Sequence, residues 1–76
     1  MSKLLTFEMS DDKTEIEIHG DKEGLIYLVG LIEKVIKYNT HDHLMTPSWA
    51  GNELSEEAKG KNTHIINKVT IGIRNR

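Results

Sequence analysis

The sequence predicts a small α+β domain: an antiparallel β-sheet of three to four strands with one α-helix packed on one face, in ββα-β-β order. Three observations carry this. Apolar and polar residues alternate near both ends of the chain. Turn-forming Ser10-Asp11-Asp12-Lys13 separates two of the alternating runs. Between residues 22 and 38 the apolar period lengthens to that of a helix.

Residues 3–9 read as the first strand, with Leu5, Phe7 and Met9 on one face and Thr6 and Glu8 on the other. Residues 14–19 alternate again, Ile16 and Ile18 against Glu15, Glu17 and His19, which completes a hairpin. Asp21 is a good N-cap, and Glu23 adds negative charge to the first turn. Leu25, Leu28, Val29, Ile32, Val35 and Ile36 then form one stripe at helical spacing. Lys34 and Lys37 suit the last turns, and Asn39 suits a left-handed cap. Residues 43–46 form a short strand before Pro47, which disfavours helix at Thr46. Residues 55–63 have no apolar stripe and read as an exposed loop. Residues 65–74 make the final strand, with Asn67, Val69, Ile71 and Ile73 on one face. The expected core is Ile16, Ile18, Leu25, Leu28, Val29, Ile32, Val69 and Ile71, within a single domain spanning residues 1–76.

Composition narrows the function. A chain of 76 residues buries only about 60% of its unfolded surface. With no cysteine it has neither disulfide nor thiolate metal site, as expected of a protein in a reducing cytosol. The first five residues, with one lysine and two leucines, do not make a signal peptide. No apolar run approaches the ~20 residues that cross a bilayer. The expected location is the cytoplasm. A net charge of −2 argues against nucleic-acid binding. The charge is unevenly spread. Residues 1–57 hold all 12 acids against five lysines, whereas residues 58–76 hold five cations and no acid. Either the basic strand pairs beside acidic ones, or an acidic face is kept for a basic partner.

Catalysis is not expected. Ser48 lacks a nucleophile-elbow context. Asp11/Asp12 and Glu56/Glu57 have no apolar setting to separate their pKa values. The glycines are dispersed and build no phosphate-cradling loop. His41 and His43, two apart on an extended segment, face one way and could share a metal, with His19 or His64 as third ligand. The simpler reading is solvent-accessible histidines at a strand start, and no cofactor is expected.

Two surfaces suggest binding. Tyr27, Leu31 and Tyr38 project together, away from the apolar stripe, as a flank covered by loops or as a self-association surface. Residues 46–57 gather the sole proline and the sole tryptophan with polar and acidic side chains. Trp49 and Leu54 could fold back to cap a small core and Trp49 could also anchor a recognition loop, two readings that do not exclude each other. The expectation is a Trp49 ring packed partly buried on the sheet or helix end, with Asn52, Glu53, Glu56 and Glu57 facing outward as contacts.

Glu17-Ile18-His19-Gly20-Asp21-Lys22-Glu23-Gly24-Leu25, then His43 through Ser55, then Ile66-Asn67 resemble the immunity protein 32 family of bacterial polymorphic-toxin systems. The resemblance spans about residues 16–73. Its specific part runs from His43 to Leu54, and Ala50 departs from a glycine at that position. It implies an antitoxin-like cytoplasmic protein that neutralises a cognate protein toxin by direct contact. Two other readings stand beside it: a homodimeric regulator or scaffold, and a metal-binding protein using His41 and His43.

Overall fold

The computed structural model describes residues 3–74. The signal-peptide reading at Met1 and Ser2 and the cation at Arg76 lie outside the described residues. Five strands and one helix follow in the order β1 (Leu5–Ser10), β2 (Ile16–Gly20), α1 (Lys22–Tyr38), β3 (His41–Met45), β4 (Thr63–Ile65) and β5 (Lys68–Gly72), with a 3-10 turn at Pro47–Trp49. This is the expected α+β architecture, with the strands divided between two antiparallel sheets. One has the order β2-β1-β4 and the other pairs β3 with β5.

The hairpin forms where the alternation places it, with Phe7 opposite Ile18 and Met9 opposite Ile16. Its turn is closed by Ser10 and Asp12. The Asp12 carboxylate accepts from the Thr14 N–H at 3.1 Å and the Thr14 hydroxyl at 2.7 Å. The helix is capped as its sequence requires. Asp21 Oδ1 accepts from the Gly24 N–H at 2.7 Å, and Asn39 adopts the left-handed conformation at φ 51°.

The expected final strand breaks in two. Residues 63–65 pair with β1, while residues 68–72 pair with β3. The corner is Ile66-Asn67. Ile66 N–H still donates to Phe7 O, but the Asn67 carbonyl accepts from Thr46 N–H at 3.0 Å, and the Thr46 hydroxyl donates to Asn67 Oδ1 at 2.8 Å. One continuous segment thereby leaves the first sheet and joins the second, a corner of the kind that lets two sheets share a core. Thr63, expected in the loop, belongs to β4.

The core is Leu5, Phe7, Leu31, Val35, Leu44 and Leu54, with Leu28, Ile66, Val69 and Ile71 packed against it. Leu28, Val69 and Ile71 were expected there. Ile16, Ile18, Leu25, Val29 and Ile32 were also expected there, but all five are exposed. The helix is turned roughly 80° from its expected orientation, so that Gly24 and Leu31 face inward beside Leu28 and Val35 of the expected stripe. Gly24 is the reason. A Cβ there would collide with the Leu4 carbonyl. Asp21 locks this approach, since its N–H donates to Leu4 O and its carboxylate accepts from Leu4 N–H. A glycine adds nothing to an apolar stripe, yet here it selects the buried face.

Candidate functional site

The segment after β3 is held by its own backbone and by two carboxylates. Thr46, fully buried, accepts at its carbonyl from Trp49 N–H at 2.9 Å and Gly51 N–H at 3.0 Å. Ala50 turns the chain in the left-handed region at φ 65° and donates to Pro47 O. An alanine there costs about 1–2 kcal/mol relative to a relaxed conformation, a strain glycine avoids. Gly51 meets a different constraint. A Cβ would stand 2.5 Å from Met45 O and 2.6 Å from Met45 Cβ, so the side-chain-free backbone lets the turn lie against β3.

Beyond the turn, Leu54 enters the core and Ser55 ties the segment to β1, with N–H donating to Leu5 O at 2.8 Å. Glu53 Oε1 accepts from Met45 N–H at 3.0 Å on the outer edge of β3. Glu56 Oε1 accepts from Ser48 N–H at 2.9 Å, and bonding with Ser48 holds its carboxyl below the usual range. These two acids are therefore partly spent inside the loop, satisfying backbone donors, and do not simply face outward. Asn52 and Glu57 are exposed. Trp49 does not cap the core, a place that Leu54 takes. Its residue is 53% exposed, with the indole carried at the end of the locked turn.

A second anchor for the neighbouring loop comes from Glu8, which alternation alone assigns to the polar face of β1. It is fully buried. Its Oε1 accepts from Gly60 N–H at 2.9 Å and the Thr63 hydroxyl at 2.7 Å; Oε2 accepts from the Thr6 hydroxyl at 2.5 Å and Lys59 N–H at 2.9 Å. Burial pushes this carboxyl up, but the bonds from Thr6, Lys59, Thr63 and Gly60 outweigh it and hold the pKa down at about 2. Three of the four donors lie more than 50 residues away along the chain. No local pattern signals them.

The tyrosine flank is not a single free surface. Leu31, expected on it, is 7% exposed and belongs to the core, because the helix is turned toward it. Tyr27 lies under Lys3, whose Nζ is 4.3 Å from the ring centroid. Burial raises the Tyr27 phenol, with the charges of Glu53 and Asp42 adding to the effect. Tyr38 remains exposed.

His41 and His43 stand side by side on β3 as expected, with ring centroids 5.3 Å apart. They line an open depression of about 700 Å³ with Asn39, Thr40, Thr70 and Arg74. His43 Nδ1 is engaged at 2.9 Å with Thr70 Oγ1. Neither candidate third ligand joins them: His19 is bonded to Glu17 at 2.6 Å on β2, and His64 to Asp11 at 2.6 Å on β4. Glu8, Glu17 and His19 also converge, their ligand atoms lying within 4.8 Å of one another. The four donors on Glu8 already occupy its lone pairs, which leaves that group poorly suited to a cation.

Among the described residues, no helix is long and apolar enough to cross a membrane. The immunity protein 32 family model matches residues 15–69, from the start of β2 to β5, and includes the whole of the locked turn. The chain belongs to the immunity protein 32 family. No curated protein and no solved structure matches it. Immunity proteins generally act without catalysis. The left-handed backbone of Ala50, inside the matched segment, is one that glycine adopts without steric cost.

Proposed function

We propose that this immunity protein neutralises a cognate protein toxin in the cytoplasm by direct contact, through the turn that carries Trp49, with Asn52 and Glu57 beside it. The observation that carries this reading is a half-exposed tryptophan on a backbone fixed at both ends. A rigid aromatic anchor loses little entropy on binding and fills a partner's pocket well, which is the profile of an interface hot spot. Glu53 and Glu56 act behind it, holding the turn through Met45 and Ser48. The acid excess of residues 1–57 favours a basic toxin surface and speeds encounter with it.

The test is titration calorimetry and stopped-flow binding kinetics against the toxin encoded beside this protein's gene, with a melt of each variant. Trp49→Ala is expected to weaken binding by about 2 kcal/mol or more, the size of a hot-spot loss, with a small change in Tm. Glu57→Lys is expected to slow association and leave dissociation nearly unchanged. Wild-type affinity in Trp49→Ala refutes this assignment of the contact. Absence of any complex between the wild-type pair refutes neutralisation by contact.

A further inference from the structure

Leu25, Val29, Ile32 and Ile36 follow one another at intervals of four, three and four residues, the a/d spacing of a helix that packs along a second helix. None is covered, their exposures running from 39% to 61%. Beside this seam lies the margin of the first sheet. Ile16 and Ile18 are register partners of Met9 and Phe7 and so rise on the face that holds Phe7 in the core, yet each stays about half exposed. Leu25 joins the two surfaces: its Cγ lies 3.1 Å from where a Cβ on Gly20 would stand.

β2 is also an edge strand. Ser10 N–H donates to Glu15 O and Asp21 N–H to Leu4 O. Antiparallel alternation then turns the backbone groups of residues 15, 17, 19 and 21 toward β1, and those of Ile16, Ile18 and Gly20 outward. An open edge thus runs beside an open apolar seam.

We propose that this face is an interface between two copies of the chain, with β2 pairing antiparallel to β2 of the second copy about Ile18 and the two helix seams meeting across the two-fold axis. Three features select a second copy as the occupant. The seam contains no charged side chain, so apposing it to itself brings no like charges together, whereas a basic partner would need acids on it. Pairing about Ile18 sets Glu17 opposite His19 of the second copy, twice, and Ile16 opposite Gly20. The extent is also suitable. Six half-exposed aliphatic side chains present on the order of 400 Å² of apolar surface, near the limit a monomer leaves open. The paired edge and the flanking Ile26 and Glu33 bring this toward the about 800 Å² per partner of a stable dimer. The pairing joins two three-stranded sheets into one and closes an edge that would otherwise invite aggregation. This face is separate from the Trp49 turn, and the inference stands independently of the toxin reading.

Sedimentation equilibrium of the full chain, from micromolar to millimolar concentration, tests it. The mass is expected to rise from 8.7 kDa to twice that value. Ile18→Lys, and Val29→Lys combined with Ile36→Lys, are each expected to weaken dimerisation more than about tenfold, because lysine blocks edge pairing and charges the seam. Tyr38→Lys, away from the seam, is expected to leave the dimer intact. Amide exchange at Ile16 and Ile18 in the unaltered protein supplies a readout that needs no variant, with protection rising as concentration rises. A wild-type mass of 8.7 kDa throughout overturns the proposal, as does a dimer that ignores both lysine variants or yields only to Tyr38→Lys. A monomer that loses toxin binding in Val29→Lys overturns it too, and gives the face to the toxin.

Discussion

Replacing Glu8 with glutamine changes one atom of a fully buried side chain and should be among the most damaging conservative changes in this protein. Both carboxylate oxygens accept two hydrogen bonds each, from Thr6, Lys59, Gly60 and Thr63. Glutamine keeps one acceptor oxygen and points an NH2 group at two donors. Two bonds to a charged group are lost, at about 1.5–3 kcal/mol each, so the expected loss is about 3–6 kcal/mol at pH 7. A domain of this length has about 4–11 kcal/mol in all. The same figure emerges from linkage. The Glu8 pKa is about 2 in the folded chain against an ordinary value of 4.5. A depressed folded-state pKa gives stability that is fully present above the unfolded value and is lost as pH falls through the folded one. For Glu8 that amounts to about 3 kcal/mol, lost between about pH 4.5 and 2. Asp12, Asp21, Asp42 and Glu56 are also lowered and weaken the wild type in the same direction. The informative quantity is therefore the difference between wild type and Glu8→Gln. Urea denaturation at pH 7, 5, 3.5 and about 2.5 should show that difference large at the top and shrinking toward acid. A variant as stable as wild type at pH 7, or a difference that ignores pH, would falsify this account of Glu8.

The orientation of the helix predicts that Leu31→Ala costs about 2–5 kcal/mol while Val29→Ala costs less than about 0.5 kcal/mol in the monomer; equal costs in chemical denaturation would contradict the observed rotation. Ala50→Gly is expected to raise stability by about 1 kcal/mol, or about 4–8 °C in Tm, by relieving the left-handed alanine, and a lower Tm would count against the strain. Gly51→Ala is expected to destabilise by more than about 1 kcal/mol because of the Met45 contact, and an unchanged melt would refute that close approach. A chelator is expected to leave the melt of the purified protein unchanged, since His19 and His64 are engaged away from His41 and His43; a drop of several degrees would reopen a metal site.

The local elements were legible because their causes are local. The hairpin follows from alternation on either side of Ser10–Lys13, and the helix bounds follow from Asp21 and Asn39, whose side chain and backbone act within four residues of themselves. The likeness of residues 43–55 to an immunity family was likewise open to reading, and the family match includes that stretch. Trp49, Asn52, Glu53 and Glu57 could be singled out by type, but their division of labour could not. Whether a glutamate faces solvent or serves a backbone N–H depends on a partner such as Met45, eight residues away around a turn.

By itself, then, the sequence determined the class of fold, the element order, the caps and the family. Only the tertiary structure decided which side of the helix is buried, where the last strand breaks and which carboxylate sits at the centre of the loop contacts. The physical reason is the same in each case. Apolar periodicity measures how much a face would gain by burial, and on this helix the stripe of Leu25, Leu28, Val29, Ile32, Val35 and Ile36 centres on Ile32. The face that packs is the one whose backbone can come closest, and Gly24 against the Leu4 carbonyl makes that the face of Leu31 and Val35. Close approach is a relation between residues distant in sequence. The same holds for the bonds that Thr46 makes to Asn67 and for those that Glu8 receives from Lys59, Gly60 and Thr63. Periodicity has no term for such pairs, so the fold had to form before they could be seen.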